Sequence, residues 1–384
     1  MKFAERMNHL GTETAFEVFA RARALEAKGH DIVHLEIGEP DFDTPENIKN
    51  AAVAALQAGF THYGPSAGLP EAREAIAAYV SRTREVNIDP AQVVITPGAK
   101  PIIFFTALAL LDPGDEVIYP NPGFPIYESM VDYVGAKRVP LPLLEKNEFG
   151  FDPDQLASLI TKKTRLVIIN SPHNPTGAVL PRETIARLSE LAVKHDFYVL
   201  SDEIYSRIIY DGTNHTPYSY PGMSERTIIL DGHSKTYAMT GWRLGYGVMP
   251  VEMAAKVAKL QTNSNSCTCS FTQMAGVEAL RGSQASVDAM VKEFRARRDL
   301  VVDGLNKIPG FRCHRPAGAF YVFPNITGTG KTSKELENHL MEKAGVAVLT
   351  GTAFGAQGEG YIRLSYANSQ ANLRKALERI AASP

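Results

Sequence analysis

The middle of the chain alternates short β-branched and apolar runs with stretches whose apolar positions recur at helical spacing. That alternation is the pattern of a parallel sheet covered by helices. Val93-Val94-Ile95-Thr96 opens it as a strand. After Pro97-Gly98 a helix-like run ends at Leu111, the turn Asp112-Pro113-Gly114-Asp115 follows, and Glu116-Val117-Ile118-Tyr119 reads as the next strand. The same logic predicts helices over 127–134 and 182–195 and strands over 165–170 and 197–201, with further extended runs at 227–230 and 242–249. Ligands of such α/β units sit at the carboxyl ends of the strands.

From about residue 283 the texture changes to a long charged helical segment containing Lys292-Glu293-Phe294-Arg295-Ala296-Arg297-Arg298-Asp299. Its basic run reads as a solvated helix face. Strands are predicted over 319–323, 346–349 and 361–366, with helices over 333–344 and 370–382, which make a smaller α+β unit.

Composition narrows the classes. A chain of 384 residues is long enough for two or three domains, and 40 Lys+Arg against 42 Asp+Glu leave a net charge of −2. Nucleic-acid binders carry a basic excess that this chain lacks, so no nucleic-acid partner is expected. The three cysteines, Cys267, Cys269 and Cys313, provide no second pair for a four-ligand zinc site and read as reduced thiols; no metal is expected. The longest apolar stretch, 102–111, is interrupted by Thr106. That is short of the ~20 residues a spanning helix needs, and with no secretory signal the expectation is a cytoplasmic protein without membrane contact.

Candidate chemistry clusters where strands end. The run 165–170 leads into Ser171-Pro172-His173-Asn174-Pro175-Thr176-Gly177, a rigid loop that presents Asn174. Tyr198-Val199-Leu200 runs into Ser201-Asp202-Glu203-Ile204-Tyr205. A carboxylate directly after a buried strand needs a cation or donor, so Asp202 requires a partner; a helix cap is the simpler alternative. Gly232-His233-Ser234-Lys235-Thr236-Tyr237 ends the next strand. There Lys235 could be desolvated into a nucleophilic amine, against the alternative of a solvated surface lysine. Arg243, beside the only tryptophan, suits bidentate capture of phosphate or carboxylate. Thr96-Pro97-Gly98-Ala99-Lys100 opens directly into a helix, whose free N–H groups attract phosphate. Neither P-loop spacing nor a dinucleotide glycine pattern is present.

Taken in order, Gly38-Glu39-Pro40-Asp41-Phe42, Tyr63-Gly64-Pro65-Ser66-Ala67-Gly68, Asn121-Pro122-Gly123-Phe124-Pro125, Asn174-Pro175-Thr176-Gly177, Asp202-Glu203-Ile204-Tyr205, Ser234-Lys235 with Arg243, and Arg363 span nearly the whole chain. Together they resemble a class I pyridoxal-phosphate aminotransferase of fold type I, aspartate aminotransferase-like. The resemblance implies a large, mixed, mostly parallel α/β domain over 48–284 and a smaller α+β domain made of 1–47 and 285–384. It also implies pyridoxal 5'-phosphate as cofactor and a homodimer with shared active sites.

By that resemblance Lys235 would hold the cofactor as an imine and shuttle a proton at the substrate Cα. Asp202 would keep the pyridine nitrogen protonated, and Tyr205 and Asn174 would hydrogen-bond the phenolic oxygen. Phe124 would stack on the ring. Arg243, Ser234 and the backbone of Gly98, Ala99 and Lys100 would cradle the phosphate, joined by Tyr63 from the neighbouring subunit. Many relatives also carry a hydroxyl three residues before the lysine, where this chain has Gly232. Arg363 would bind the substrate α-carboxylate, in a site that Gly38 and Asn174 line. Lys100 matches a lysine near the distal carboxylate in aspartate-using relatives, or contacts phosphate alone. His62 and His173 read as local hydrogen-bonding residues.

The expected reaction is ping-pong transamination from an L-amino acid to a 2-oxo acid, with aspartate and 2-oxoglutarate as substrates. The alternatives are an aromatic or alanine type of aminotransferase, a lyase using the same cofactor, and a non-catalytic sensor module.

Overall fold

The computed structural model describes residues 2–383. A short first strand, β1 (Val33–His34), precedes seven that build one sheet: β2 (Val93–Thr96), β3 (Glu116–Asn121), β4 (Lys137–Pro142), β5 (Thr164–Asn170), β6 (Tyr198–Asp202), β7 (Thr227–Gly232) and β8 (Gly245–Val248). Their spatial order is β2-β8-β7-β6-β5-β3-β4. The block from β7 to β4 is parallel, while β8 runs antiparallel to both of its neighbours. The fold is therefore α/β with a mixed, mostly parallel sheet.

Both faces of this sheet are covered, which is why its strands read as continuous apolar runs. Side chains alternate between faces with period two. Ile118, Val167, Ile169 and Val199 join one core with helix Arg182–His195, and Val117, Leu166, Ile168 and Leu200 join another with helix Lys100–Leu110. A third core, around Ile95, Ile229 and Tyr246, receives helices Glu46–Gln57, Pro70–Arg84 and Ser270–Arg281.

The remaining strands are short. β9 (Tyr321–Val322), β11 (Leu349–Thr350) and β12 (Ile362–Ser365) form an antiparallel sheet in the order β11-β12-β9, and β10 (Val346–Ala347) pairs in parallel with β1. They share a core with helix Ala285–Leu305 and helix Gln370–Ala381. Among the described residues no helix is long and apolar enough to cross a membrane.

Three sequence expectations change. β4 was not predicted; it is an edge strand whose Pro140 and Pro142 weaken the signal, and an edge is where a missing N–H is tolerated. The extended run expected from residue 242 starts only at Gly245, because Thr240–Trp242 is a 3-10 turn and Arg243 takes a positive φ of 52°. The basic run on the long helix is only partly solvated. Arg297 is buried, with Nη1 2.6 Å from Asp41 and Nε 2.9 Å from Glu293, and buried Arg298 pairs with Asp211.

Candidate active site

The carboxyl ends of neighbouring parallel strands deliver the chemistry. β6 ends on Asp202, and β7 ends three residues before Lys235. Asp202 is buried; its Oδ2 accepts from the Tyr127 hydroxyl at 2.6 Å and its Oδ1 from the Ile204 N–H at 3.2 Å. The second bond closes a local turn; no helix begins here, so the helix-cap alternative does not apply. Burial pushes its carboxyl up to about 7, and the Tyr127 bond only partly offsets that cost.

Lys235 is half-buried, and its Nζ donates to the Gly38 carbonyl at 2.5 Å. Burial lowers its pKa to about 8; Glu39 and Glu13 act to raise it, while Arg363 and Lys100 lower it further. Those shared charges place Lys235, Lys100 and Arg363 around one cleft. Lys235 Nζ stands 6.0 Å from the Phe320 ring, Phe320 meets Tyr205 edge-on at 5.4 Å, and the charge of Asp202 acts on Tyr205 in turn. The loop that carries Lys235 continues through two non-glycine residues at positive φ, Ala238 and Arg243. Such backbone strain persists only where the surroundings fix it.

Asn174 and Arg363 form a second group. Arg363 Nη1 donates to Asn174 Oδ1 at 3.2 Å, and its Nη2 donates to the Glu36 carbonyl. Asn170 ties this group to the first, with its Oδ1 accepting from the Asn174 N–H at 2.8 Å and its Nδ2 donating to the Asp202 carbonyl at 2.9 Å. The guanidinium lies 4.6 Å from the Tyr321 ring and 5.1 Å from that of Phe354, and its Nε is buried without an acceptor among the described residues. A buried guanidinium with an unused donor is a socket for a carboxylate. Tyr205 donates to or accepts from Tyr321 at 2.7 Å, and burial beside that hydroxyl holds its phenol above the usual range. Gly38 lies so close to Tyr321 that a Cβ there would be 2.2 Å from the hydroxyl.

At the far end of the sheet, β2 leads through Gly98 and Ala99 into helix Lys100–Leu110, whose N-terminus has no side-chain cap. Gly98 has φ +84°, and a Cβ on it would fall 2.2 Å from Arg243 Nη2. Uncapped N–H groups beside an exposed guanidinium form an anion cradle. Ser234 is buried nearby in sequence to Lys235. A Cβ on Gly232 would lie 3.0 Å from Gly245 Cα in the adjoining strand, a tight approach. Lys100 is exposed, 5.5 Å above the half-buried Phe124 ring, and pairs with Glu13. Phe124 in turn meets Tyr127 edge-on at 5.7 Å. Tyr63 is 89% exposed.

His173 bonds Thr176 Oγ1 at 2.8 Å, and burial lowers it to about 3, so it is a neutral local hydrogen-bonding residue. His62 is exposed, and its carbonyl accepts from Ser270. The three cysteines are free thiols, and the described residues hold no cluster suited to a metal ion.

Sequence reasoning missed Tyr127, Tyr321, Asn170 and Glu13. Tyr127, Tyr321 and Glu13 lie far along the chain from their partners, a tyrosine in an apolar helix or strand looks like core, and Asn170 sits at the end of its strand, four residues before Asn174. Arg84 was also missed. From the last turn of helix Pro70–Arg84 it reaches Glu203 at 3.0 Å, Asp231 at 2.5 Å and Ser206 at 2.8 Å, all buried. Its partners flank Asp202 on β6 and the Lys235 loop on β7.

A phosphate arm would meet the cradle, a basic ring nitrogen would meet the costly carboxylate, and an aldehyde would meet the lysine of lowered pKa. Pyridoxal phosphate carries all three, and the fold and cleft define the class as a pyridoxal-phosphate transferase of fold type I. The comparisons agree with this chemistry. The family described as "Aminotransferase class I and II" matches residues 30–380. An aspartate aminotransferase of Pyrococcus horikoshii is 44% identical over 379 residues, 98% of this chain and 96% of that protein. The aromatic-amino-acid aminotransferase 2 of Thermococcus litoralis is 41% identical over 384 residues, 99% and 97% of the two chains. The solved aspartate aminotransferase from Thermus thermophilus with maleate superposes with a TM-score of 0.96 at 40% identity, over 100% of both chains. The chain belongs to the class I and II aminotransferases and is a pyridoxal-phosphate-dependent enzyme that moves amino groups between amino acids and 2-oxo acids.

Proposed function

We propose that the preferred reaction is ping-pong transfer of the amino group of aspartate to 2-oxoglutarate. The observation that carries this reading is the pair of cations, Arg363 and Lys100, that face the cleft around Lys235. A dicarboxylic amino acid has one carboxylate for each. That a relative's solved structure holds maleate, itself a dicarboxylate, supports the same reading.

When bound, the cofactor supplies an aldehyde that takes the substrate amine covalently and a ring that delocalises the electron pair left at Cα. The chain's own residues do the rest. Arg363, whose Nε has no acceptor among the described residues, would bind the α-carboxylate and so orient the Cα–H bond, with Asn174 and Gly38 lining the same wall. Lys235 would hold the cofactor and, once its amine is free, would remove and return the proton at the substrate Cα; its lowered pKa keeps an unprotonated amine accessible near neutral pH. Asp202 holds the proton on the ring nitrogen, and a cation there removes the cost of its buried charge. Tyr205 and Asn174 donate to the phenolic oxygen, and Phe124 covers the ring. Arg243, Ser234, the N–H groups of Gly98, Ala99 and Lys100, and Tyr63 of the partner subunit hold the phosphate.

The larger organisation belongs to the same proposal: a homodimer with shared sites, a cofactor domain over 48–284, a small domain of 1–47 and 285–384, and a cytoplasmic location. A second reading, transamination of aromatic or other neutral amino acids, is favoured by the Lys100–Glu13 pair, which already neutralises the distal cation. A donor panel with purified holoenzyme separates these readings. Aspartate with 2-oxoglutarate is expected to give the highest kcat/KM and stoichiometric glutamate, and Lys235→Ala is expected to abolish turnover. A higher kcat/KM for phenylalanine or alanine overturns the aspartate reading, and product formation without any amino acceptor marks a lyase.

A further inference from the structure

Glu13 belongs to no motif and has no role in the chemistry above, yet its carboxylate sits in the cleft. It lies in the stretch between the short turn Glu5–His9 and helix Ala15–Glu26. That stretch is fastened to the body at Gly11, whose N–H donates to Ser129 Oγ at 2.9 Å and whose carbonyl accepts from the same hydroxyl at 3.1 Å. Ser129 belongs to helix Pro125–Tyr133, which starts directly after Phe124. The fastening therefore brings Glu13 over the Phe124 end of the site, where it pairs with Lys100. The Glu13 side chain is 18% exposed and that of Lys100 46%. The charge of Glu13 is also felt by Lys235, Tyr321 and Arg363, so it faces the substrate space rather than bulk solvent.

A dicarboxylic substrate brings one carboxylate to Arg363 and a second that needs a cation. Lys100 serves it best by leaving Glu13, because the first carboxylate repels a second one brought to the same ammonium. A neutral amino acid brings no second charge, and its apolar side chain would cover Lys100. An ammonium desolvated without a counter-ion is costly, so there the Glu13 pair should stay closed. The stretch borders a cavity of about 790 Å³ lined by Leu10, Gly11, Thr12, Phe124 and Thr352, which leaves space for the displaced carboxylate.

We infer that Glu13 is a specificity-determining residue: it is the resting counter-ion of Lys100, exchanged for the distal carboxylate of acidic substrates and retained with neutral ones. The inference rests on the proposed assignment of Lys100 to the distal carboxylate. Through it, one site accepts both substrate classes, with acidic ones carrying the cost of breaking the internal pair.

The test uses holoenzyme titrated with succinate and with 3-phenylpropanoate, read by cofactor absorbance, together with kcat/KM for aspartate and phenylalanine. A partly exposed pair of this kind should bias binding modestly, so Glu13→Gln is expected to bind succinate about 2- to 5-fold more tightly. The same variant should raise kcat/KM for aspartate in proportion, while 3-phenylpropanoate and phenylalanine stay unchanged or weaken. In a Lys100→Met background the Glu13→Gln effect on succinate should vanish. Succinate binding unchanged or weaker in Glu13→Gln, or an equal shift of both analogues, overturns the inference. If Lys100→Met alone fails to weaken succinate relative to 3-phenylpropanoate, the assignment of Lys100 falls and the inference with it, while the aminotransferase reaction stands.

Discussion

Asp202 shows how one residue carries a cost that its function removes. Without a cation its carboxyl is held up at about 7 by burial, above the ordinary aspartate value. The folded chain therefore binds a proton that the unfolded chain has released, and this group's contribution to stability falls as pH rises from about 4 to about 7. Its magnitude is on the order of 4 kcal/mol if the full shift is expressed. Asp202→Asn cannot titrate. Thermal melts of the cofactor-free variant should therefore depend less on pH across that window than the wild type, and its midpoint at pH 8 should be higher. Its transamination rate should nevertheless fall by on the order of 100-fold or more, because an amide cannot keep the ring nitrogen protonated. A variant melt that follows the wild-type pH profile would show that another group titrates there.

Arg84 belongs to the scale of elements. It ends a helix and reaches the ends of two strands, and its guanidinium is the cation shared by Glu203 on one and Asp231 on the other. Both carboxylates are buried, and both act to raise the pKa of Asp202. Arg84→Met leaves two buried charges without a partner and is expected to destabilise the fold by about 3–5 kcal/mol, read as a lowered chemical-denaturation midpoint. Adding Glu203→Gln and Asp231→Asn to that variant removes the stranded charges and should recover most of the loss. No recovery would mean that packing of the Arg84 stem dominates. At this scale the legible elements were those with an unbroken pattern. Helix Arg182–His195 lies where its apolar spacing predicts, with Asp196 closing it at φ 56°. β4 was hidden by its prolines and exposed residues, and the inward turn of Arg297 and Arg298 was hidden because their partners, Asp41 and Asp211, are remote in sequence.

At the scale of the whole molecule, Tyr63 is the informative residue. It stands 89% exposed, although its motif accompanies the rest of the site. Exposed Phe3, Met7, Phe16 and Phe19 lie on the N-terminal stretch, an apolar surface that a second subunit would cover. If Tyr63 serves the partner's phosphate, Tyr63→Ala and Lys235→Ala chains should complement each other. Refolded together they form hybrid dimers in which one site has both native residues, so activity should exceed the sum of the two separate variants. Activity no greater than that sum would show that each chain completes its own site.

The sequence by itself determined the parallel core, because both-faced burial writes uninterrupted apolar runs, and it marked the residues at strand ends, because the polar and turn-forming motifs directly follow those runs along the chain. Lys235, Asp202, Asn174 and Arg363 stood out for that reason, and the structure pairs Arg363 with Asn174 and joins Asn174 to the Asp202 backbone through Asn170. The tertiary structure alone decided who touches whom across long separations: Tyr127 on Asp202, Tyr321 on Tyr205, Arg84 between two strand ends, and Glu13 on Lys100. These contacts depend on side-chain direction and on how distant segments cross, and neither leaves a period or a spacing in a linear string.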